Sequence, residues 1–422
     1  MTEALKDSKI TWLGEIPESW SVDRTKFHYV NIKQVAGVKS EAYERLALTL
    51  NGVIKRPKDD ADGLQPGDFN GYQVLKTGNL VFKLIDLQNV STSRVGLAHD
   101  TGIVSPAYIR LEPQKNESSR YGEYYFLSMW QREIFNQLGD AGVRSNLSSK
   151  DLLELPYIRL PYNEQNKIAD FLDEKCAEID QLSEDIQKQI DILEDYKTAI
   201  ITSAVTKGLN SSITMKESGQ KWIGVIPNNW EIKRIGALYS PRNTKVSDED
   251  YPPLSVTMQG VLPQLETVAK TDDHSNRKLV RKGDFAINSR SDRRGSCGIS
   301  QYDGSVSLIN TVLKPVGAMN PIYYNWLFHT SLFADEFYKW GHGIVDDLWS
   351  TNWQDMKSIC VTVPPLDEQK EIADYLDQKC AEIDDSINGK KEQLKKIIDY
   401  KKSIIYEYVT GKKRVKGALW NH

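Results

Sequence analysis

The sequence predicts an α+β chain: two mixed α/β domains separated by two long helices that pair as an antiparallel coiled coil, with an internal pseudo-twofold repeat. Three observations carry this. The block WLGEIPESW, from Trp12 to Trp20, returns as WIGVIPNNW from Trp222 to Trp230, and EQNKIADFLDEKCAEID, from Glu164 to Asp180, returns as EQKEIADYLDQKCAEID from Glu368 to Asp384. Self-similarity at a fixed offset marks a duplicated structural unit. From Tyr162 to Lys207 no proline or glycine interrupts the chain, a run of about 70 Å if helical. Within that run Leu172, Ile179, Ile186, Leu193 and Ile200 recur every seven residues, the period of a coiled-coil seam.

Taken in order, the N-terminus MTEALKDSK has no signal-peptide core, and no apolar run reaches the ~18 residues of a membrane span. No membrane association and a cytoplasmic location are therefore expected. Between the repeated blocks lie two inserts that agree only weakly. Gly78–Ile85, Ile103–Leu111 and Ser305–Pro315 have strand composition, while Tyr124–Leu138 and Ile322–Tyr338 have helical periodicity. TLNGV (Thr49–Val53) answers TMQGV (Thr257–Val261), Gly78 answers Gly283, and GVRSNL (Gly142–Leu147) answers GIVDDL (Gly343–Leu348). One fold with altered loops is the simplest account.

In the first long helix Ile168, Leu182 and Tyr196 are expected beside the main seam. The second helix repeats the stripe through Leu376, Ile383, Ile397 and Ile404, with Gly389 inside it. Asn163 and Asp367 stand where N-caps belong. A stripe this long needs a partner, and the sister helix of the same chain is the preferred one, antiparallel because the chain must cross an insert and return. Parallel pairing or homodimerisation are the alternatives.

Length and composition allow two to four domains. The net charge of −4 is unevenly spread: Glu164–Lys197 carries 11 acidic and 4 basic residues and Asp367–Lys402 carries 10 and 8, leaving the remainder at +5. The acidity sits in the helices and the inserts lean basic, so the whole-chain charge does not exclude a polyanionic partner. Of the four cysteines, Cys176 and Cys380 occupy the same repeat position and are expected to pack as small apolar residues; a disulfide between them is the weaker reading.

Direct DNA readout needs donor and acceptor side chains on a basic footing. Asn276–Gly295 holds seven basic and two acidic residues, and Arg290, Arg293 and Arg294 follow a strand-like run through Asn288. Gln259 lies in the TMQGV turn. In the first insert Lys55 and Arg56 follow TLNGV, Lys83 and Arg94 flank the corresponding loop, and Arg144 and Asn146 lie in GVRSNL. An ordinary solvated surface is the alternative at each position. Catalytic signatures are missing: there is no GxxxxGK[ST], no [DN]PP[FY], and the six histidines show no HxH or HExxH spacing. No catalytic residue, bound cofactor or metal is therefore expected.

W-[IL]-G-x-I-P-x-x-W followed by LPYNEQNKIADFLDEKCAEID, then by VPPLDEQKEIADYLDQKCAEID in the second copy, resembles the specificity subunit of type I restriction–modification systems over nearly the whole chain. The resemblance implies target recognition domains at 1–160 and 210–363 and conserved helical spacers at 161–209 and 364–422. Each recognition domain would read one half of an asymmetric bipartite target on double-stranded DNA. The helices would space the domains, holding half-sites about one helical turn apart, and would dock two methyltransferase and two restriction–translocase subunits. S-adenosylmethionine, ATP and Mg would belong to those partners and not to this chain. A coiled-coil scaffold that never touches DNA is the reading from another class.

Overall fold

The computed structural model describes residues 4–60, 68–87, 94–138, 146–264, 276–343 and 349–415. The chain forms two compact units, Met1–Ile186 with Glu392–His422, and Gln187–Lys391. Each contains an α/β body and one stretch of each long helix.

In the first unit a hairpin of Leu5–Asp7 and Glu15–Pro17 carries the first tryptophan block. Ser21–Arg24 then pairs with Pro156–Arg159, the strand that leads into the long helix. The body is a four-stranded antiparallel sheet in the order Tyr29–Val30, Ile109–Pro113, Leu80–Lys83, Arg94–Leu97. The second unit repeats every step. Met215–Glu217 pairs with Val225–Pro227, and Glu231–Arg234 with Cys360–Val363. Its sheet runs Tyr239–Pro241, Asn310–Pro315, Phe285–Asn288, Cys297–Ile299.

Runs that read as single elements are broken by turns and caps. The Tyr124–Leu138 pattern resolves into helices Ser119–Gln131 and Ile134–Leu138, separated by Glu133 at φ 57°. Ile322–Tyr338 resolves into Pro321–Phe328 and Ser331–Lys339, because the Thr330 hydroxyl accepts from Phe333 N and starts a new helix. The strand-like runs Ile103–Leu111 and Ser305–Pro315 each contain a turn between two strands.

The repeated blocks have a visible purpose. Trp20 and Trp230 are fully buried, each packed with its block's apolar residues, Leu13 and Ile16 in one unit and Ile223 and Ile226 in the other. Gln165 accepts from Ser118 N (2.8 Å) and donates to Leu160 O (3.2 Å). Gln369 does the same with Asn320 N (2.9 Å) and Pro364 O (2.9 Å). One buried amide thus ties the start of a body helix to the strand entering the long helix, leaving neither backbone group unpaired. Tyr121 and Tyr323 donate to Val409 O and Val205 O, at the far ends of the long helices.

The two long helices span Tyr162–Lys207 and Leu366–Val409, and Gly208 and Gly411 follow them at φ 73°, the left-handed conformation that ends a helix. They pair antiparallel. In the first unit Phe171 meets Tyr408 with centroids 4.3 Å apart, and Asp180 meets Lys401 at 2.6 Å. In the second, Lys197 meets Asp384 at 2.7 Å and Glu194 meets Lys391 at 3.2 Å.

The expected seam residues Leu172, Ile179, Ile186, Leu376, Ile383 and Ile404 are buried, and Leu193, Ile200 and Ile397 are half-buried. Of the expected neighbouring column, Ile168 is buried, but the column does not continue. Leu182 and Tyr196 are each 47% exposed, whereas Ile190 is 1% exposed. The second column lies four residues after the first, through Cys176, Ser183, Ile190, Lys197 and Ala204, so Leu182 and Tyr196, three positions on, face away. Asn163 and Asp367 are also corrected: the helices begin one residue earlier, at Tyr162 and Leu366, so both side chains lie in the first turn. All four cysteines are free thiols, with Cys176 and Cys380 buried. Among the described residues no helix is long and apolar enough to cross a membrane.

Candidate nucleic-acid interface

In the first unit the edge pair of the sheet, Leu80–Lys83 with Arg94–Leu97, ends with Lys83 opposite Arg94. Burial and the adjacent Arg94 charge lower the Lys83 pKa. Like charges facing across two strands oppose folding, and the Asp86 carboxylate offsets part of that repulsion at Lys83. Beside it, Leu147 N donates to Leu84 O (3.1 Å) and Asp86 N donates to Asn146 Oδ1 (3.0 Å). Asn146 therefore holds the loop after Lys83 in shape. Arg144 lies outside the described residues.

Lys55 and Arg56 lie at the open end of the hairpin formed by Leu46–Thr49 and Gly52–Lys55. Lys55 pairs with Asp100 at 3.1 Å and Arg56 Nε with Asp60 at 2.6 Å. The first insert thus brings Lys83, Arg94 and Asn146 together and gives Lys55 and Arg56 acidic neighbours.

In the second unit the same strand tip holds Asn288, whose Oδ1 accepts from Arg290 N (3.1 Å) while its own N–H donates to Ser296 O (2.8 Å). A short 3-10 turn over Ser291–Arg293 follows. Thr351 N donates to Ser289 O and Ser291 N to Trp349 O, both at 2.9 Å. The first of these repeats the Leu147–Leu84 bond of the first unit, so Leu147 answers Thr351 and not Leu348, in keeping with the helix caps Ser148 and Asn352 that follow. The Tyr338 hydroxyl donates to Arg293 O at 3.3 Å. The loop is therefore held on three sides, and the arginines project from it. Each has an aspartate beside it: Arg290 and Arg293 share Asp292 at 3.1 and 3.7 Å, and Arg294 pairs with Asp335. Arg293 and Arg294 side chains are 67% and 52% exposed. Surface pairs of this kind are worth about 0–1 kcal/mol, so a phosphate or a guanine edge can compete for the guanidinium.

Gln259 lies on the exposed turn of the hairpin Leu254–Thr257 and Gly260–Pro263, apart in sequence from the arginine loop. Residues that the charge pattern did not single out, Leu50, Asn51 and Met258, occupy the equivalent turns. Their signal was the TLNGV–TMQGV correspondence, which marks the turn without revealing its exposure. No group of three or more His, Cys, Asp or Glu side chains among the described residues is placed to hold a metal ion.

Residues 227–396 match the family model of the type I restriction modification DNA specificity domain. Over 97% of both chains, the protein is 25% identical to a chain of Methanocaldococcus jannaschii assigned as the type I restriction enzyme MjaX specificity subunit. It is 26% identical to the type I restriction enzyme MjaVIII specificity subunit of the same organism, over 95% of this chain and 94% of the other. Among solved structures, a chain from work on complex assembly and conformational transition of the type I R-M system aligns with TM-score 0.71 at 12% identity, covering 94% of this chain and 99% of that one. The HsdS subunit of Thermoanaerobacter tengcongensis aligns with TM-score 0.51 at 14% identity, over 94% and 98%. A duplicated frame, two bodies of one topology and a family match across the second of them make the chain similar to the specificity subunits of type I restriction–modification systems.

Proposed function

We propose that this chain is the non-catalytic DNA-reading subunit of a type I complex, and that each body reads one half of an asymmetric bipartite target. The observation that supports this reading best is the pair of equivalent strand tips. They share one backbone frame, yet one presents Lys83 and Arg94 and the other Asn288 with Arg290, Arg293 and Arg294. Different side chains on one frame give different base preferences. Residues 1–160 and 210–363 serve as recognition domains, and 161–209 with 364–422 as spacers that fix the gap between half-sites. Two methyltransferase subunits supply S-adenosylmethionine and flip the adenine, and two restriction–translocase subunits supply ATP- and Mg-dependent cleavage, in the cytoplasm.

The test uses the chain in complex with its methyltransferase subunits. Changing Arg290, Arg293 and Arg294 together to alanine is expected to abolish sequence-specific duplex binding while the complex still assembles. Unchanged specific binding would overturn the assignment of this loop. Methyl transfer by the isolated chain with S-adenosylmethionine would overturn the non-catalytic reading.

A further inference from the structure

Each unit carries a second projecting element that the cationic loops do not include. The hairpins Leu46–Thr49/Gly52–Lys55 and Leu254–Thr257/Gly260–Pro263 close through two-residue turns, Leu50-Asn51 and Met258-Gln259. The two turns are built identically. The Thr49 and Thr257 hydroxyls each donate to the carbonyl of Gly52 or Gly260 at 3.0 Å. Each hydroxyl also accepts, at 3.1 Å, from the N–H of Asn51 or Gln259. Gly52 at φ 86° and Gly260 at φ 106° complete the turns, a conformation that other residues adopt only with strain. The backbone at both tips is therefore fixed before any ligand arrives.

What these rigid tips display is unusual for a solvent turn. Leu50 is 62% exposed and Met258 72%, each followed by an exposed amide side chain. A single exposed apolar residue needs no explanation. The same apolar–amide pair at the same position in two bodies whose other surface residues have diverged does. The sequences also differ in a readable way, Leu-Asn in one and Met-Gln in the other, so the amide reaches one methylene further in the second unit.

Both tips are braced against the strand that returns from the cationic loop. In the first unit Arg94 donates to Leu48 O at 3.3 Å, and a Cβ on Gly96 would lie 2.8 Å from Leu48 Cδ1. In the second, a Cβ on Gly298 would lie 2.7 Å from Gly260 Cα, and Val261 bridges to Ser300. Each tip and its neighbouring loop thus share one support.

We propose that Leu50-Asn51 and Met258-Gln259 are base-reading residues, the amide of each contacting an adenine edge in the half-site of its own unit while the apolar neighbour packs on an adjacent thymine methyl. This rests on the DNA-reading function proposed above. An amide presents one donor and one acceptor side by side, the complement of adenine N7 and N6 in the major groove, and an apolar side chain complements the thymine methyl.

The experiment profiles methylation of a randomised duplex library by the complex with its methyltransferase subunits, for wild type, Asn51→Ala, Gln259→Ala and the triple arginine variant. Each tip variant is expected to lose about ten- to hundredfold discrimination at one base position, in one half-site, with the other half-site unchanged. The two variants should relax different half-sites. Tip variants that keep the wild-type preference at every position overturn the proposal, as does a uniform loss of rate across all sequences, which marks a phosphate contact. A wild-type complex without any sequence preference would instead remove the DNA-reading function itself. Preference lost in the arginine variant and intact in both tip variants removes only the tips.

Discussion

The two units are alike where they meet the long helices and unlike inside their bodies. Asp180–Lys401 in the first unit and Asp384–Lys197 in the second are the same ion pair twice, at 2.6 and 2.7 Å. The buried Gln165 and Gln369 make matching bonds. Deeper in the bodies the match fails. In the first unit Tyr157 donates to Glu117 at 2.9 Å, Glu117 accepts at 2.7 Å from His28 Nδ1, and Tyr29 meets Tyr157 at 3.2 Å. The equivalent positions in the second unit are Val361, Met319 and Leu238, around a Tyr239 hydroxyl with no partner among the described residues. Contacts that hold the frame are fixed by geometry common to both units. A core need only fill its volume, and a buried polar network and an apolar filling both do so.

The largest way to sharpen this contrast is Glu117→Ala. It strips the buried His28 and Tyr157 of their shared acceptor, and each buried donor left unsatisfied costs about 1–3 kcal/mol. Hydrogen exchange should show loss of protection in the first unit alone; equal loss in both units would mean that the network belongs to the common frame.

A middle-sized effect concerns Glu164. Trp20 Nε1 donates to it at 3.1 Å and Arg414 pairs with it. Burial raises the Glu164 pKa to about 7, against the lowering by the Trp20 hydrogen bond and the Lys167 charge. The Arg414 guanidinium in contact with Glu164 favours the carboxylate, so Arg414→Ala should raise that pKa further. A carboxyl whose folded pKa lies above its ordinary 4.5 stabilises fully below that value and loses its contribution as pH rises through about 7. Wild-type stability should therefore fall by on the order of 2 kcal/mol between about pH 5 and 8 in thermal melts, and Arg414→Ala should carry the fall to higher pH. A variant profile parallel to wild type would show that Arg414 does not hold the charge.

The smallest effect is the duplicated ion pair. Asp180→Asn and Asp384→Asn should each cost about 0.2–1 kcal/mol, diminishing in high salt, and the two costs should agree within the error of the melts. Unequal costs would show that the repeat is only apparent at this position.

The sequence made the frame legible because its residues must satisfy the same contacts twice. The tryptophan rings pack alike in both units, and Gln165 and Gln369 make matching bonds. The second seam column was hidden because Cys176, Ser183 and Lys197 look polar or small, while Leu182 and Tyr196 look like seam and face outward. The proposed base-reading surface was only partly legible. Arg290, Arg293 and Arg294 stood out as charge, but Asp335, which pairs with Arg294, is distant in sequence. Leu50 and Met258 stood out not at all, since burial would be the default for either residue and only the fold exposes them.

If the helices fix distance and the bodies fix sequence, the two properties separate under one change. Inserting a heptad in the first long helix between Ile186 and Ile200, with a matching heptad between Ile383 and Ile397, keeps the seam in register and adds about 10 Å. Methylation mapping with the methyltransferase complex should then find both half-sites unchanged and the gap between them longer by about three base pairs. An altered half-site with an unchanged gap would contradict the division between frame and reader.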